Sequence, residues 1–254
     1  ISDIQKIRDN PAYSRLSEFD YNNGRFGYFE SISREVAYVV YAQVTAEKAG
    51  EPRQTEGGKV KLQEFVKFME NHLWEWRNQT YEDPNGGRFS PFMFGLTGYS
   101  LIEFYEWERS NGRDPNAYWP KTHWPTITAA LEDVASFLRE QALVASGTEA
   151  GKRMWIDNYN GSDYGTFRYE DLKSATPAPD LNHLIAPVYY WLFKETGTAK
   201  YLHYGDELFG GGVLYGYLDQ GKQYNQAYRL SIIGLEWRRA GGVRPNPPGG
   251  LAVN

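Results

Sequence analysis

The sequence predicts an all-α fold in which buried and surface helices alternate along the chain. Few stretches alternate apolar and polar residues as half-buried strands do, whereas seven stretches carry apolar residues at helical spacing. These seven stretches also alternate in how far their apolar side chains spread around the helix. No shift in composition divides the chain, so we expect one domain over residues 1–254, with residues 240–254 as a loose C-terminal tail.

The first two predicted helices show the alternation most clearly. Segment 31–49 is apolar on nearly every side through residues 36–41, which is typical of a buried helix. Segment 59–78 instead has one apolar stripe, which includes Leu62, Val66 and Met69, and this is typical of a surface helix.

The remaining predicted helices continue this order. Segment 91–110 is apolar nearly all round, and 123–145 returns to a stripe. Segment 182–196 is of the buried type, and its Pro187 marks either the start of the helix or a kink. Segment 199–210 is short, and the glycines at 210–212 predict that it stops there. Segment 222–239 closes the series as a buried helix.

The connections between antiparallel helices fall at alternate ends of such an array, so they form two sets. One set is mostly short and plain and comprises residues 50–58, 111–122 and 197–198. The other is longer and rich in Tyr, Asn, Asp, Gly and Arg, and comprises residues 20–30, 79–90, 146–181 and 211–221. The buried helices begin on the face of this second set, where free helix N–H groups favour anionic groups. We therefore expect a pocket on that face, walled by aromatic loops.

Composition excludes several classes of function. The net charge of −5, with Lys and Arg spread along the chain, argues against a nucleic-acid partner. The absence of cysteine excludes disulfides, thiolate metal sites and a cysteine nucleophile, and the four scattered histidines argue against a multi-histidine metal centre. No apolar run approaches the ~18 residues that a membrane span needs. We expect no cofactor and no metal, since DNYNGSD at 157–163 lacks the ligand spacing of an EF-hand loop.

Two segments resemble hairpins of the α/α-toroid proteins. They are SPFMFGLTGYSLIEFYEWERSNGRDPNAYWPKTHWPTITAALEDVASFL (90–138) and LNHLIAPVYYWLFKETGTAKYLHYGDELFGGGV (181–213), each with an inner helix, a turn and an outer helix. The resemblance implies a toroid of inner and outer antiparallel helices, with the active cleft at the N-terminal ends of the inner helices. Toroids of this kind include glycoside hydrolases and polysaccharide lyases. Seven helices make an incomplete toroid, so an oligomer or a larger parent chain is expected to complete it.

Hydrolysis of a glycosidic bond needs two carboxylates flanking that bond. Asp157 and Asp163 are the preferred pair, because Trp155, Tyr159, Tyr164 and Tyr169 surround them in the sequence. Aromatic surroundings can raise the pKa of a carboxyl group towards the range of a general acid. The alternative is that both aspartates cap turns.

A lyase would need a base beside a group that neutralises a uronate carboxylate. Asn182 and His183 at the start of a buried helix fit this chemistry, with Tyr164 and either Arg168 or Arg88 nearby in loop order. The alternatives are an N-cap role for Asn182 and a structural role for His183.

Further binding residues are predicted from polar and aromatic groups on the same face. Trp155, Tyr159, Arg168 and Asn182 are joined by Tyr81 and Arg88 from loop 79–90 and by Tyr224 and Asn225 at the start of the last helix. Such groups suit hydroxyl-rich ligands through ring stacking and hydrogen bonds, and simple packing against loop 146–181 is the alternative for the last two.

The leading hypothesis is a carbohydrate-active protein that acts on a polysaccharide or oligosaccharide, as a glycoside hydrolase with a carboxylate pair. The first alternative is a polysaccharide lyase that uses Tyr or His with Asn or Arg. The second is a non-catalytic module for glycan or protein binding or for assembly, because an open toroid edge would expose apolar surface. The implied polymer substrate, together with the absence of Met at position 1, leads us to expect an extracellular or periplasmic location.

Overall fold

The computed structural model describes residues 30–53, 55–56, 59–79, 90–171, 175–216 and 221–241. Within these ranges the chain is all-α, as predicted, with seven α-helices and two short antiparallel β-ribbons. The helices are α1 (Glu30–Lys48), α2 (Lys61–Asn78), α3 (Pro91–Ser110), α4 (Ile127–Glu140), α5 (Asn182–Thr196), α6 (Ala199–Tyr215) and α7 (Gly221–Ala240). The ribbons pair β1 (Thr55–Glu56) with β2 (Lys59–Val60), and β3 (Trp155–Ile156) with β4 (Thr166–Phe167).

Helix α4 is shorter at both ends than the predicted segment 123–145. It begins after Thr126, whose hydroxyl accepts a hydrogen bond from the backbone N–H of Ala129 at 3.1 Å, the bond of an N-cap. It ends before Leu143, because the chain there leaves the helix and forms a β-bridge with Arg153. Local capping and a tertiary pairing thus set bounds that apolar spacing alone does not mark.

The described contacts divide into two compact units. One comprises the described residues of Ile1–Phe89 together with Leu96–Val134, and the other comprises Ser90–Gly95 together with the described residues of Ala135–Asn254. The boundary runs through α3 and α4, so both units include part of each of these helices.

In the first unit, α1 and α2 pack through apolar stripes. Val36, Val40 and Val44 of α1 are fully buried, as are Leu62 and Met69 of α2. Tyr38, Val39 and Tyr41 are only half-buried, so α1 buries one stripe rather than every side, contrary to the prediction for segment 31–49. The ring of Tyr41 lies 5.6 Å from that of Tyr99.

In the second unit, α5 is the central helix. Residues 184–193 are buried on every side, as predicted, and both α6 and α7 pack against them. Pro187 lies inside α5, so the helix does not begin there. At the other end Gly197 adopts the left-handed φ of 68° of a C-terminal cap, and its N–H donates to the carbonyl of Phe193 at 2.8 Å.

Helix α7 differs from the prediction of a buried helix. Leu230, Gly234 and Arg238 form its buried stripe, whereas Tyr228 and Ile232 are 60% and 45% exposed. The narrow stripe suits a helix that contacts its neighbour along one side, and Gly234 lets it approach the ring of Pro187 closely. Among the described helices, none is long and apolar enough to cross a membrane.

Candidate functional site

The ribbon of β3 and β4 carries a closed loop, residues 157–165. The N–H of Tyr159 donates to the carbonyl of Tyr164 at 2.8 Å, and the hydroxyl of Ser162 donates to the carbonyl of Tyr159, also at 2.8 Å. Asn158 and Asn160 have φ values of 50° and 52°, a left-handed conformation that asparagine tolerates better than most residues. These internal bonds and turns give the loop a defined shape.

The C-terminal half of α6 contacts this loop through the first two of three consecutive glycines, Gly210 and Gly211. A Cβ at Gly210 would lie 2.2 Å from the ring of Tyr164, and one at Gly211 would lie 2.3 Å from the carbonyl oxygen of Gly165. Helix α6 continues through these glycines to Tyr215, so the predicted helix stop at 210–212 is wrong. The missing side chains serve close approach of the loop rather than termination of the helix.

Asn182 holds the same junction from the first turn of α5. It is fully buried, and its Nδ2 donates to the carbonyls of Gly165 at 3.0 Å and Leu208 at 3.1 Å. Its Oδ1 accepts a hydrogen bond from the hydroxyl of Thr166 at 3.1 Å. The N-cap position belongs to Leu181, so the N-cap alternative for Asn182 is wrong. Contact of Asn182 with a substrate would require breaking bonds that join the loop to α6.

His183 lies beside this junction. Its Nε2 is 3.2 Å from the carbonyl oxygen of Phe209, so this nitrogen donates, and a Cβ at Gly212 would lie 2.6 Å from the ring. Burial lowers the pKa of His183, which favours the neutral ring with Nδ1 as the acceptor nitrogen.

Arg139, near the end of α4, forms a charged cluster beneath Asp157. Its guanidinium lies 4.1 Å from the ring centre of Trp155 and 4.8 Å from that of Tyr204. Its Nη2 donates to Glu207 at 2.8 Å and to Oδ1 of Asp157 at 3.2 Å. The planar cation thus packs over two aromatic rings and is balanced by two carboxylates.

Trp155 supplies the second bond to Asp157. Its indole Nε1 donates to the same Oδ1 at 2.6 Å, while its ring is buried against Phe167 and against Gly165. Trp155 was predicted from the sequence to contact a ligand. The structure places it under the loop, where it supports Asp157.

The exposed side of the loop brings carboxylates and tyrosine rings together. The side chain of Asp157 is 54% exposed, Asp163 is exposed, and Tyr159 and Tyr164 are half-buried. Tyr159 meets Tyr215 of α6 edge-on, with ring centres 5.2 Å apart. We call the surface formed by these residues, Asp157, Tyr159, Asp163, Tyr164 and Tyr215, the hairpin rim.

Arg168 is bound within the protein. Its Nε donates to the carbonyl of Arg153 at 3.0 Å and its Nη1 to that of Ala175 at 2.6 Å, while its Nη2 lies 3.1 Å from Glu149. These bonds fasten the chain on both sides of β4. Arg88 and Tyr81 lie outside the described residues, as do the side chains of Tyr224 and Asn225.

Asp180 is a candidate that the sequence analysis did not select. It lies in the 3-10 turn Pro179–Leu181 that leads into α5, beside Gly216 at the end of α6. Burial raises the pKa of this half-buried carboxyl group. Its position two residues before Asn182 was the available signal in the sequence. Within the described ranges, no three His, Asp or Glu side chains cluster closely enough to hold a metal ion.

The chain was compared with known proteins by family, by sequence and by structure. No family model, no curated protein and no solved structure matches it.

Proposed function

We propose that the hairpin rim binds carbohydrate. The observation that supports this most directly is that Tyr159, on the loop that carries the exposed Asp157 and Asp163, meets the ring of Tyr215 from α6 edge-on. A tyrosine ring packs against the C–H face of a sugar while its hydroxyl forms hydrogen bonds. Carboxylate oxygens accept hydrogen bonds from sugar hydroxyls.

The support beneath the rim favours binding by a preformed surface. The loop is closed by its own hydrogen bonds, seated on the glycines of α6 and fastened by Asn182. A preformed surface loses little conformational entropy when it binds, so a larger part of the contact energy appears as affinity.

A screen of glycans and polysaccharides, scored for binding and for cleavage, tests this proposal. The variants Tyr159→Ala and Tyr215→Ala should lower the affinity for the best glycan about tenfold each, because each removes ring contact worth roughly 1–1.5 kcal/mol. Tyr228→Ala is the matched control, since Tyr228 is an exposed tyrosine of α7 that does not belong to the hairpin rim. Failure of every glycan to bind, or equal affinity in the rim variants, would refute the proposal.

Hydrolysis is the second candidate function, and the raised pKa of the Asp180 carboxyl group favours it. A carboxyl group whose pKa is raised by burial is suited to protonate a glycosidic oxygen, and Asp157 or Asp163 would be the second carboxylate. We expect Asp180→Asn to abolish the release of reducing ends while glycan binding persists. Absorbance from an unsaturated uronate would instead indicate a lyase that uses Tyr164 or His183.

The wider arrangement proposed for the chain is an incomplete α/α toroid. In its support, α5 is buried on every side while α6 packs on it through one stripe, as inner and outer helices do. An extracellular or periplasmic location, and an oligomer or a larger parent chain that completes the toroid, belong to the same proposal. Light scattering of the purified chain would test for the oligomer.

A further inference from the structure

We propose that Asp157 is the acceptor on the hairpin rim that contacts the glycan, and that Arg139 is the residue that positions it. This inference rests on the proposed carbohydrate binding and assigns its polar contact. Asp157 was predicted from sequence as half of a catalytic pair; the geometry gives its two oxygens different tasks.

The two carboxylate oxygens of Asp157 are bonded unequally within the protein. Oδ1 accepts from both Nε1 of Trp155 at 2.6 Å and Nη2 of Arg139 at 3.2 Å. Oδ2 lies 3.9 Å from Nη1 of Arg153, which is beyond hydrogen-bond distance. One oxygen is therefore fixed from beneath, and the lone pairs of the other remain for a donor on the ligand.

Arg139, which supports Asp157 from beneath, is a buried cation whose charge must be balanced. Arg139 is only 7% exposed, and a buried guanidinium is destabilising unless its charge is balanced. Glu207 already balances it at 2.8 Å, so the bond to Asp157 is not needed for neutrality. The guanidinium also packs over the rings of Trp155 and Tyr204. Because Glu207 neutralises Arg139, the second N–H of its Nη2 can hold the exposed carboxylate of Asp157 in one orientation.

The charges around Oδ2 of Asp157 indicate the class of sugar that the rim would bind. The rim adds the exposed Asp163 to Asp157, and the half-buried Asp180 lies at the adjoining end of α6. Two nearby cations are paired within the protein, Arg139 with Glu207 and Arg168 with Glu149. Arg153, 3.9 Å from Oδ2, offsets the charge of Asp157, so the exposed Asp163 supplies the excess of negative charge on the rim. This excess favours a sugar that donates through hydroxyl or ammonium groups and disfavours a uronate.

The test measures affinity and selectivity together by titration calorimetry, with a neutral oligosaccharide from the screen and its uronate counterpart. Asp157→Asn should weaken the neutral ligand about tenfold, as expected for loss of a charge-assisted bond, and should reduce the discrimination against the uronate. Glu236→Gln, an exposed acid of α7, is the control and should change neither quantity. A purely structural role for Asp157 would leave the selectivity unchanged.

Arg139→Lys tests the positioning role, because lysine keeps the charge but lacks the planar fork. We expect it to weaken the neutral ligand by a factor similar to that of Asp157→Asn, and the double variant to lose no further affinity. If Arg139→Lys does not fold, Glu207→Gln replaces it and should change affinity less than Asp157→Asn does. Wild-type binding with unchanged affinity and selectivity in Asp157→Asn overturns this inference alone, whereas absence of wild-type binding removes the proposed function as well.

Discussion

Two connections of this protein are each held by a carboxylate, in opposite ways. The backbone of residues 111–126, between α3 and α4, donates hydrogen bonds to the buried carboxylate of Glu70, which lies in α2. In residues 157–165, between β3 and β4, the carboxylate of Asp157 is exposed and side-chain donors lie beneath it. The first arrangement satisfies the carboxylate within the protein, and the second leaves one of its oxygens to the solvent.

The first connection is built for stability. Glu70 is fully buried and accepts hydrogen bonds from the N–H groups of Thr122, His123 and Trp124, at 3.4, 3.0 and 3.4 Å. The indole of Trp119 donates to the carbonyl of Trp124 at 2.8 Å. In this connection the polar groups satisfy one another, as buried groups must.

In the second connection, hydrogen bonds within the loop fix its shape, and the carboxylates of Asp157 and Asp163 stay exposed. Polarity alone therefore does not identify a functional loop, since both connections are rich in polar residues. The direction in which the carboxylate is satisfied distinguishes them, and it yields separate expectations for stability and for binding.

The largest expected effect comes from removing the buried carboxylate. Glu70→Ala leaves three backbone donors without their acceptor, so we expect the free energy of unfolding to fall by about 3 kcal/mol. Urea denaturation measures this change, with Lys67→Ala, an exposed position of the same helix, as the control. A loss below about 1 kcal/mol would remove the contrast between the two connections.

Gly211→Ala should destabilise the seat of the second connection. The new Cβ would meet the carbonyl of Gly165, which is backbone and cannot turn aside, so we expect a loss of about 2 kcal/mol by thermal or urea unfolding. Gly234→Ala is the matched control in another helix, because its Cβ would stand 3.2 Å from the side chain of Pro187. Equal effects of the two substitutions would contradict the close approach of loop 157–165 to α6.

A fall in pH should lower the stability of the protein through His72, the buried histidine of α2. Burial lowers the pKa of His72 to about 4, whereas an unfolded chain takes up the proton near pH 6.5. Stability is therefore full above pH 6.5 and is lost as the pH falls towards 4, by about 2 kcal/mol at pH 5. Unfolding measured at pH 7.5 and pH 5 should show this loss, and His72→Phe should shrink it. An unchanged slope in that variant would exclude His72 as its source.

The smallest effect is expected at the surface beside the second connection. Lys152 pairs with Glu149 at 2.9 Å, but its side chain is 59% exposed, so Lys152→Ala should cost under about 0.5 kcal/mol. Glycan affinity should stay at the wild-type value. A clear change in that affinity would extend the binding surface beyond the hairpin rim.

Periodicity in the sequence predicted where the helices lie, because each buries an apolar stripe or surface that repeats at helical spacing. It did not predict β3 and β4, since strands of two residues are too short to show alternation. Loop composition selected Asp157, Tyr159 and Tyr164 as candidates, but it did not predict the support from Arg139. Arg139 and Glu207 are 68 residues apart in the chain, and their contact depends on how α4 and α6 pack.

The glycines at 210–212 illustrate the same limit. Local rules treat three consecutive glycines as a break, and that rule is sound for an isolated helix. Here the loop and α5 approach α6 so closely that side chains at these positions would collide. The reason for the glycines lies in residues distant along the chain, and no local pattern carries it.

Hydrogen–deuterium exchange with and without a bound glycan tests whether the second connection, and not the first, is the binding surface. We expect slower exchange in residues 157–165 and in the last turns of α6 when the glycan is present, with residues 111–126 unchanged. Slower exchange confined to residues 111–126, or to neither connection while the glycan is demonstrably bound, would contradict this expectation.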